Sequence, residues 1–208
     1  MVLKWIIVDA MGVIFREGRD LYELLIPFAL EKNPKLSESV ILRTYLKGSL
    51  GLISSQELWN ILGLGNHYPE IEKEYLDNYL SIDEDFYQFI EKVYSNYSIA
   101  MLSNDLKEWS NYLRNKYDLN KYFREIIISG EVNLRKPDIE IFELLLERLK
   151  VPAQACIFID DNLKNVNNAS KLGINTIRFV RSKEKVAFCS EFEVSSFKEL
   201  YSVLKNFY

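Results

Sequence analysis

Four short polar segments carry most of the chemistry available to this sequence. Asp9 follows the apolar run Leu3 to Val8. Ser103-Asn104 follows Ser98 to Leu102. Lys136 lies a short loop beyond the run Glu125 to Ser129, and Asp160-Asp161-Asn162 follows Ala155 to Ile159. Brought together, Asp9 and the Asp160-Asp161 pair would repel unless a cation lay between them or one kept a proton. Mg²⁺ suits such a group, because it prefers hard oxygens and is commonly held by one or two carboxylates plus a substrate phosphate. Lys136 would add positive charge for a phosphate and for Asp9. Ser103 and Asn104 would donate hydrogen bonds to phosphate oxygens. Each segment alone is ordinary: an aspartate after an apolar run is often an N-cap, and Asp160-Asp161-Asn162 by itself reads as a cap and turn. What points to a site is four of them in order, each at or just past the end of a run.

For these residues to converge, the runs must be strands of one sheet. A fifth run spans Asn175 to Val180. Helical patterns lie between the later runs. Leu106 to Lys116 is one. Asp138 to Leu149 is another, with Pro137 expected in its first turn. Leu163 to Leu172 is a third, stopped by Gly173. Strands that are apolar throughout and alternate with helices imply a parallel sheet covered on both faces. In such sheets ligands bind outside the carboxyl ends of the strands, where helix N-termini also offer free N–H groups to an anion.

The stretch from Arg16 to Ser81 breaks this rhythm. It reads as four helices: Leu21 to Lys32, Ser37 to Lys47, Ser54 to Leu62 and Pro69 to Leu80. Ser54-Ser55-Gln56-Glu57 is a capping-box pattern. The insert is too long for one crossover, so it is expected to cover the strand ends as a lid, the alternative being helices that merely pack on the sheet. The expected division is a core of residues 1–15 and 82–208 with a helical cap of residues 16–81.

Composition removes other classes. The chain has 208 residues, 48% of them hydrophobic and 27% charged, which suits one domain with an insert. With 26 Lys and Arg against 30 Asp and Glu, the formal charge is −4, so no dominant nucleic-acid surface is expected. No apolar run reaches the roughly 18 residues of a membrane helix. Met1 to Val8 lacks the length and cleavage site of a signal peptide. Cys156 and Cys189 are too few for a disulfide framework or a zinc site. A cytoplasmic protein is expected. His67 is the sole histidine, in a turn from Gly63 to Pro69, which argues against a Ser-His-Asp triad or a multi-histidine metal site. Cys156 is expected to be a small buried hydrophobe; Cys189 falls in a charged C-terminal region.

The polar segments, with their flanks, resemble the motifs of the haloacid dehalogenase superfamily of aspartate-nucleophile hydrolases. Val8-Asp9-Ala10-Met11-Gly12-Val13-Ile14 resembles the first motif and Leu102-Ser103-Asn104 the second. Arg135-Lys136-Pro137-Asp138-Ile139 resembles the third. Phe158-Ile159-Asp160-Asp161-Asn162, with Asn165 and Ala169 to Gly173, resembles the fourth. The insert resembles the helical cap of the family's first subclass. The expected architecture is therefore α/β, a Rossmann-like doubly wound parallel sheet of five core strands in the order 3-2-1-4-5, with an inserted helical cap.

The resemblance implies phosphoryl transfer in two steps. Asp9 would attack phosphorus and water would hydrolyse the aspartyl-phosphate. Mg²⁺ would be held by Asp9, the backbone carbonyl of Met11 and Asp161, with Asp160 acting through water. Ser103 and Asn104 would bind the phosphate, and Lys136 would neutralise charge on it and on Asp9. One position departs from the pattern. Phosphatases of this family usually carry a second aspartate two residues after the nucleophile, as general acid and base. Here that residue is Met11, and a thioether transfers no proton. Losing a positioned acid or base typically costs about 10²–10⁴ in rate.

Three readings follow. The first is a Mg²⁺-dependent phosphatase of a small phosphorylated metabolite that uses a cap residue, water or an easily expelled leaving group. The second is a metal-independent 2-haloacid dehalogenase, since halide leaves without a proton. The third is a phosphate- or protein-binding module that has lost catalysis. Nucleic acid and membrane are not expected partners, and the expected state is a monomer or homodimer. In the cap, Arg19, Tyr22, Arg43, Tyr45, Lys47 and Trp59 could shape a pocket. Of these only Arg19, close behind the first motif, is taken as a substrate-binding candidate; most of the aromatics are expected to pack the cap's own core and most of the charges to be solvated. The run Glu70 to Glu74 is expected to be a solvated helix face.

Overall fold

The computed structural model describes residues 3–181 and 192–205, so Cys189 lies outside the described residues. The chain enters β1 (Trp5–Val8) and passes through a π-helical turn, Leu21–Leu25, into α1 (Ile26–Lys32). It continues through α2 (Glu38–Ser49), α3 (Ser55–Ile61) and α4 (Glu70–Tyr79). It returns by α5 (Asp85–Val93) to β2 (Ser98–Ser103), α6 (Lys107–Lys116), β3 (Glu125–Ile128), α7 (Ser129–Val132) and α8 (Ile139–Leu149). It ends with β4 (Cys156–Asp160), α9 (Leu163–Lys171), β5 (Asn175–Phe179), β6 (Glu193–Val194) and α10 (Phe197–Leu204).

The strands form one parallel sheet in the order β3-β2-β1-β4-β5-β6. The expected five-strand order holds, and a sixth strand of two residues extends it at the β5 edge. So short a strand carries no periodic signal of its own. One face of the sheet presents Ile7, Ala100, Leu102 and Phe158 to α8 and α9, through Phe142, Leu145 and Ala169. The other presents Ile6, Val8, Ile99 and Met101 to a second apolar cluster that includes Phe89, Trp109 and Phe197 from α5, α6 and α10. Burial on both faces explains why the strands read as unbroken apolar runs. Cys156 is fully buried in the first cluster, and burial pushes its thiol up to about 11.

Register sets where the polar residues emerge. Val8 pairs with Ile159 on one side and Met101 on the other, and the Asp9 N–H donates to Ile159 O at 2.9 Å. Asp9 and Asp160 therefore leave the sheet level with each other, and Ser103 ends β2 beside them.

One local expectation is corrected. Pro137 is not in the first turn of α8; Asp138, in extended conformation, is the N-cap. Ser129-Gly130, directly after β3, opens α7. The Ser129 hydroxyl accepts from Asp105 N–H at 3.0 Å and donates to Ser49 O at 2.5 Å, tying the insert to the sheet. The capping box at α3 is present, with Ser54 and Glu57 exchanging side-chain and backbone hydrogen bonds.

The connections into and out of the helical insert run side by side. Phe15 bridges Ile82 in antiparallel fashion, Arg16 N–H donates to Ser81 O, and Asp83 N–H donates to Ile14 O. Asp83, buried between them, accepts from Arg16 at 3.0 Å and Arg181 at 2.5 Å. Trp59 and Tyr75 of the insert are fully buried but meet Trp109 of α6 outside it, and Tyr22 is exposed. Glu72 corrects the reading of a solvated face. It is buried, and one of its oxygens accepts both the Trp59 and the Trp109 indole N–H, at 3.0 and 2.8 Å.

Candidate active site

Asp9, Ser103, Lys136, Asp160 and Asp161 come together at the carboxyl ends of β1, β2 and β4. Lys136 is the hub. Its side chain is 1% exposed, and its Nζ lies 2.8 Å from Asp9 Oδ1, 2.7 Å from Asp160 Oδ2 and 2.8 Å from Leu102 O. All three ammonium protons thus have acceptors. Asn104 holds the loop that delivers it: the Asn104 amide donates to Lys136 O and accepts from Lys136 N–H, both at 2.8 Å. That pairing engages the amide oxygen and one amide proton of Asn104, which also lines the cleft beside the cluster. The Asn104 carbonyl meanwhile accepts from the Tyr45 hydroxyl at 3.4 Å.

The two neighbouring aspartates differ in kind. Asp160 is fully buried and accepts from Lys136, from Asn162 N–H at 2.8 Å and from the Asn165 amide at 3.0 Å. It orients Lys136 and the loop after β4. Asp161 is part-exposed and borders the clefts on both sides of it. Its carboxylate sits in a cradle of two glycines, because a Cβ at Gly12 or Gly18 would overlap it. Gly12 also holds φ at +78°, which favours glycine.

Burial is the largest influence on three of these charges. It holds the Asp9 carboxyl well above the usual carboxylate range; Lys136 opposes the shift, and Asp160 and Asp161 add to it. Asp161 is pushed up to about 7 by burial and by Asp160. Lys136 is pulled down by burial, but Asp160 and Asp9 outweigh that and leave it raised. One oxygen from each of Asp9, Asp160 and Asp161 lies within 4.8 Å of the other two. Hard oxygens, excess negative charge and a glycine cradle that leaves Asp161 room fit a small divalent cation.

Beside this cluster is a cleft of about 280 Å³, lined among others by Asp9, Met11, Asp20, Tyr45, Arg135 and Lys136. The Ser103 hydroxyl, 1% exposed at the residue level, has no hydrogen-bond partner among the described residues. A buried hydroxyl without a partner costs free energy unless a ligand supplies one. Met11 is buried at the cleft wall. Arg19 borders the cleft, but its side chain is 74% exposed and pairs only at 3.6 Å with Glu23. His67, Arg43 and Lys47 are exposed and do not border the cleft. Asp20 and Arg135 are lining residues that spacing does not single out. Asp20 lies in the insert's entry segment, and only the fold returns it to the strand ends.

The model of the haloacid dehalogenase-like hydrolase family matches residues 49–179, well over half of the chain. This chain belongs to the haloacid dehalogenase-like hydrolases. The match takes in Ser103, Lys136, Asp160 and Asp161 and begins after Asp9. Among curated relatives, drimenol cyclase of Aspergillus calidoustus is 32% identical over 109 residues, 50% of this chain and 21% of that protein. Glyceraldehyde 3-phosphate phosphatase of Methanocaldococcus jannaschii is 29% identical over 105 residues, 49% of this chain and 45% of that one. (S)-2-haloacid dehalogenase 4A of Burkholderia cepacia is 28% identical over 131 residues, 60% of this chain and 56% of that one. The chain thus spans about half or less of the first two relatives.

Solved structures of this hydrolase family share the fold. A phosphatase from Thermococcus onnurineus superposes with a TM-score of 0.76 at 21% identity, covering 97% of this chain and 98% of the other. A family enzyme from Bacteroides thetaiotaomicron, solved with magnesium and inorganic phosphate, superposes at 0.70 with 21% identity, covering 88% and 96%.

Proposed function

We propose that this hydrolase is a Mg²⁺-dependent phosphatase of small phosphate esters, working through an aspartyl-phosphate on Asp9. The observation that carries the reading is the Asp9–Lys136–Asp160 cluster, with Asp9, Lys136 and the cradled Asp161 lining one cleft. The similarity to glyceraldehyde 3-phosphate phosphatase supports the substrate class. Residues 16–81 act as the cap, and a cleft of about 280 Å³ suits a small metabolite. Nucleic acid and membranes have no part in this reading.

Asp9 attacks phosphorus in line with the departing oxygen. Lys136 steadies the negative charge on Asp9 and then on the phosphoryl oxygens, and Asp160 keeps Lys136 in place. Ser103 donates its free hydroxyl to a phosphoryl oxygen. Asn104 acts by holding the Lys136 loop. Arg19 lies at the mouth, where its extended side chain meets the rest of the substrate. Asp9, the Met11 carbonyl and Asp161 would hold Mg²⁺, which supplies further neutralisation of the phosphate. Most of the rate enhancement then comes from positioning and fixed charge.

The similarity to 2-haloacid dehalogenases and the apolar Met11 favour a second reading, dehalogenation without metal. The Asp160-Asp161 pair counts against it, since that chemistry needs no cation. The test is hydrolysis of p-nitrophenyl phosphate with Mg²⁺ and with chelator, in the wild type and Asp9→Asn. Mg²⁺-dependent release of nitrophenolate that disappears in Asp9→Asn is expected. Halide release from a 2-haloacid in chelator, with no phosphatase activity, would replace this reading with the second.

A further inference from the structure

Met11 leaves this site without a proton donor two residues after the nucleophile, so the cleft must supply one from elsewhere or do without. Of the three carboxyls that line the cleft, Asp9 is the proposed nucleophile and Asp161 a proposed metal ligand, which leaves Asp20. It shares the cleft with Asp9, Met11 and Lys136 but, unlike Asp160, takes no part in holding Lys136. We propose that Asp20 is the general acid and base of this enzyme, doing from the cap's entry segment what Met11 cannot do. The proposal rests on the phosphatase reading above.

The surroundings of Asp20 fit the task. It directly precedes the π-helical turn Leu21–Leu25. Part of its surface is open to the cleft, while protein crowds its other sides and pushes its carboxyl up to about 6. The Leu21 backbone N–H and Arg135 pull it down, and Glu17 pushes it up. Around it, Tyr45 of α2, Tyr75 of α4 and Asp105 after β2 feel its charge. So does Asp161 after β4; Arg19 lies beside it in the chain. An acid of this strength exchanges its proton near neutral pH, where a catalyst must be able both to give and to take one.

The steps balance without another reactant. An oxygen of Asp9 bonds to phosphorus while the bond from phosphorus to the ester oxygen breaks. The departing oxygen takes the proton of the Asp20 carboxyl. The Asp20 carboxylate then takes a proton from water as the water oxygen bonds to phosphorus and the bond to Asp9 breaks. Orthophosphate leaves, Asp9 is again a carboxylate and Asp20 is again protonated.

The experiment compares wild type, Asp20→Asn and Asp9→Asn with Mg²⁺ on p-nitrophenyl phosphate and phenyl phosphate. These esters are alike in shape, but phenolate is the stronger base. Asp20→Asn is expected to lower kcat for phenyl phosphate by roughly 10²-fold or more and to lower it less for the nitro ester. The wild-type pH limb near 6 should vanish. Acid quenching should trap a phosphorylated chain, because the first step survives with nitrophenolate while hydrolysis stalls. A purely structural role would alter neither the leaving-group dependence nor the trapped fraction. If Asp20→Asn keeps both rates within threefold of an active wild type and retains the pH limb, Asp20 is not the acid–base group and the phosphatase reading stands. If the wild type hydrolyses neither ester, or Asp9→Asn matches it, the phosphatase reading falls and this proposal with it.

Discussion

Lys136 lies 2.8 Å from Asp9 and 2.7 Å from Asp160 with almost no solvent around it. Removing one member of a buried charge cluster strands the others, and breaking such pairs costs about 3–5 kcal/mol. Lys136→Met should therefore lower stability by roughly that amount as well as abolish turnover. Urea denaturation of the metal-free protein measures it, and a loss near zero would show that the cluster does not depend on Lys136 for stability. The glycine cradle allows a gentler test. Gly18→Ala places a Cβ on the Asp161 carboxylate without touching Asp9. Displacing a metal ligand in this way should raise the Mg²⁺ needed for half-maximal activity on the order of 10-fold or more. An unchanged Mg²⁺ titration would remove Asp161 from the ligand set.

At the scale of elements, the insert is fastened to the sheet by contacts of very different worth. Glu72 of α4 receives two indole N–H groups, one from α3 and one from α6, away from solvent. Glu72→Ala leaves both donors unpaired and should cost about 1–3 kcal/mol or more. Asp77 accepts from Tyr112 and Lys116 across the same boundary but at the surface. Asp77→Ala should cost under about 1 kcal/mol, since exposed pairs are screened and entropically costly. Thermal unfolding of the two variants gives the order, and equal losses would contradict the contrast in burial. Sequence reading missed the Glu72 contact for a physical reason. Glu70 to Glu74 looks polar throughout, and only the packing of α4 on Trp109 turns one of its carboxylates inward.

At the scale of the molecule, the crowded carboxyls link stability to pH and to cations. Asp20 is raised to about 6 and Asp161 to about 7, and Asp9 is raised as well. An unfolded aspartate titrates near 3.9. Between roughly pH 4 and pH 7 the folded chain therefore binds more protons than the unfolded one, and stability falls as pH rises through this window. A divalent cation bound by the deprotonated carboxylates opposes the fall. The metal-free protein should melt at a lower temperature at pH 8 than at pH 5, and Mg²⁺ should raise the melting temperature more at pH 8. Scanning calorimetry at both pH values checks this. A Mg²⁺ effect that is equal or larger at pH 5 would contradict the linkage.

The sequence by itself determined a parallel sheet covered on both faces and the polar residues at the ends of its strands, while the strand order followed from the family resemblance. Strands buried on both faces must be apolar throughout, so the first polar residue after each run marks where the chain leaves the sheet. Asp9, Ser103, Lys136 and Asp160-Asp161 are legible for that reason. Tertiary structure alone decided how those groups divide their work. Asn104 spends its amide on the Lys136 backbone, and Asp160 is saturated by donors while Asp161 faces the clefts. It also decided that Asp20 lines the same cleft as Asp9. No linear pattern encodes which carboxylate meets a donor, because those partners arrive from segments tens of residues away and are fixed only when the sheet register and the insert close together.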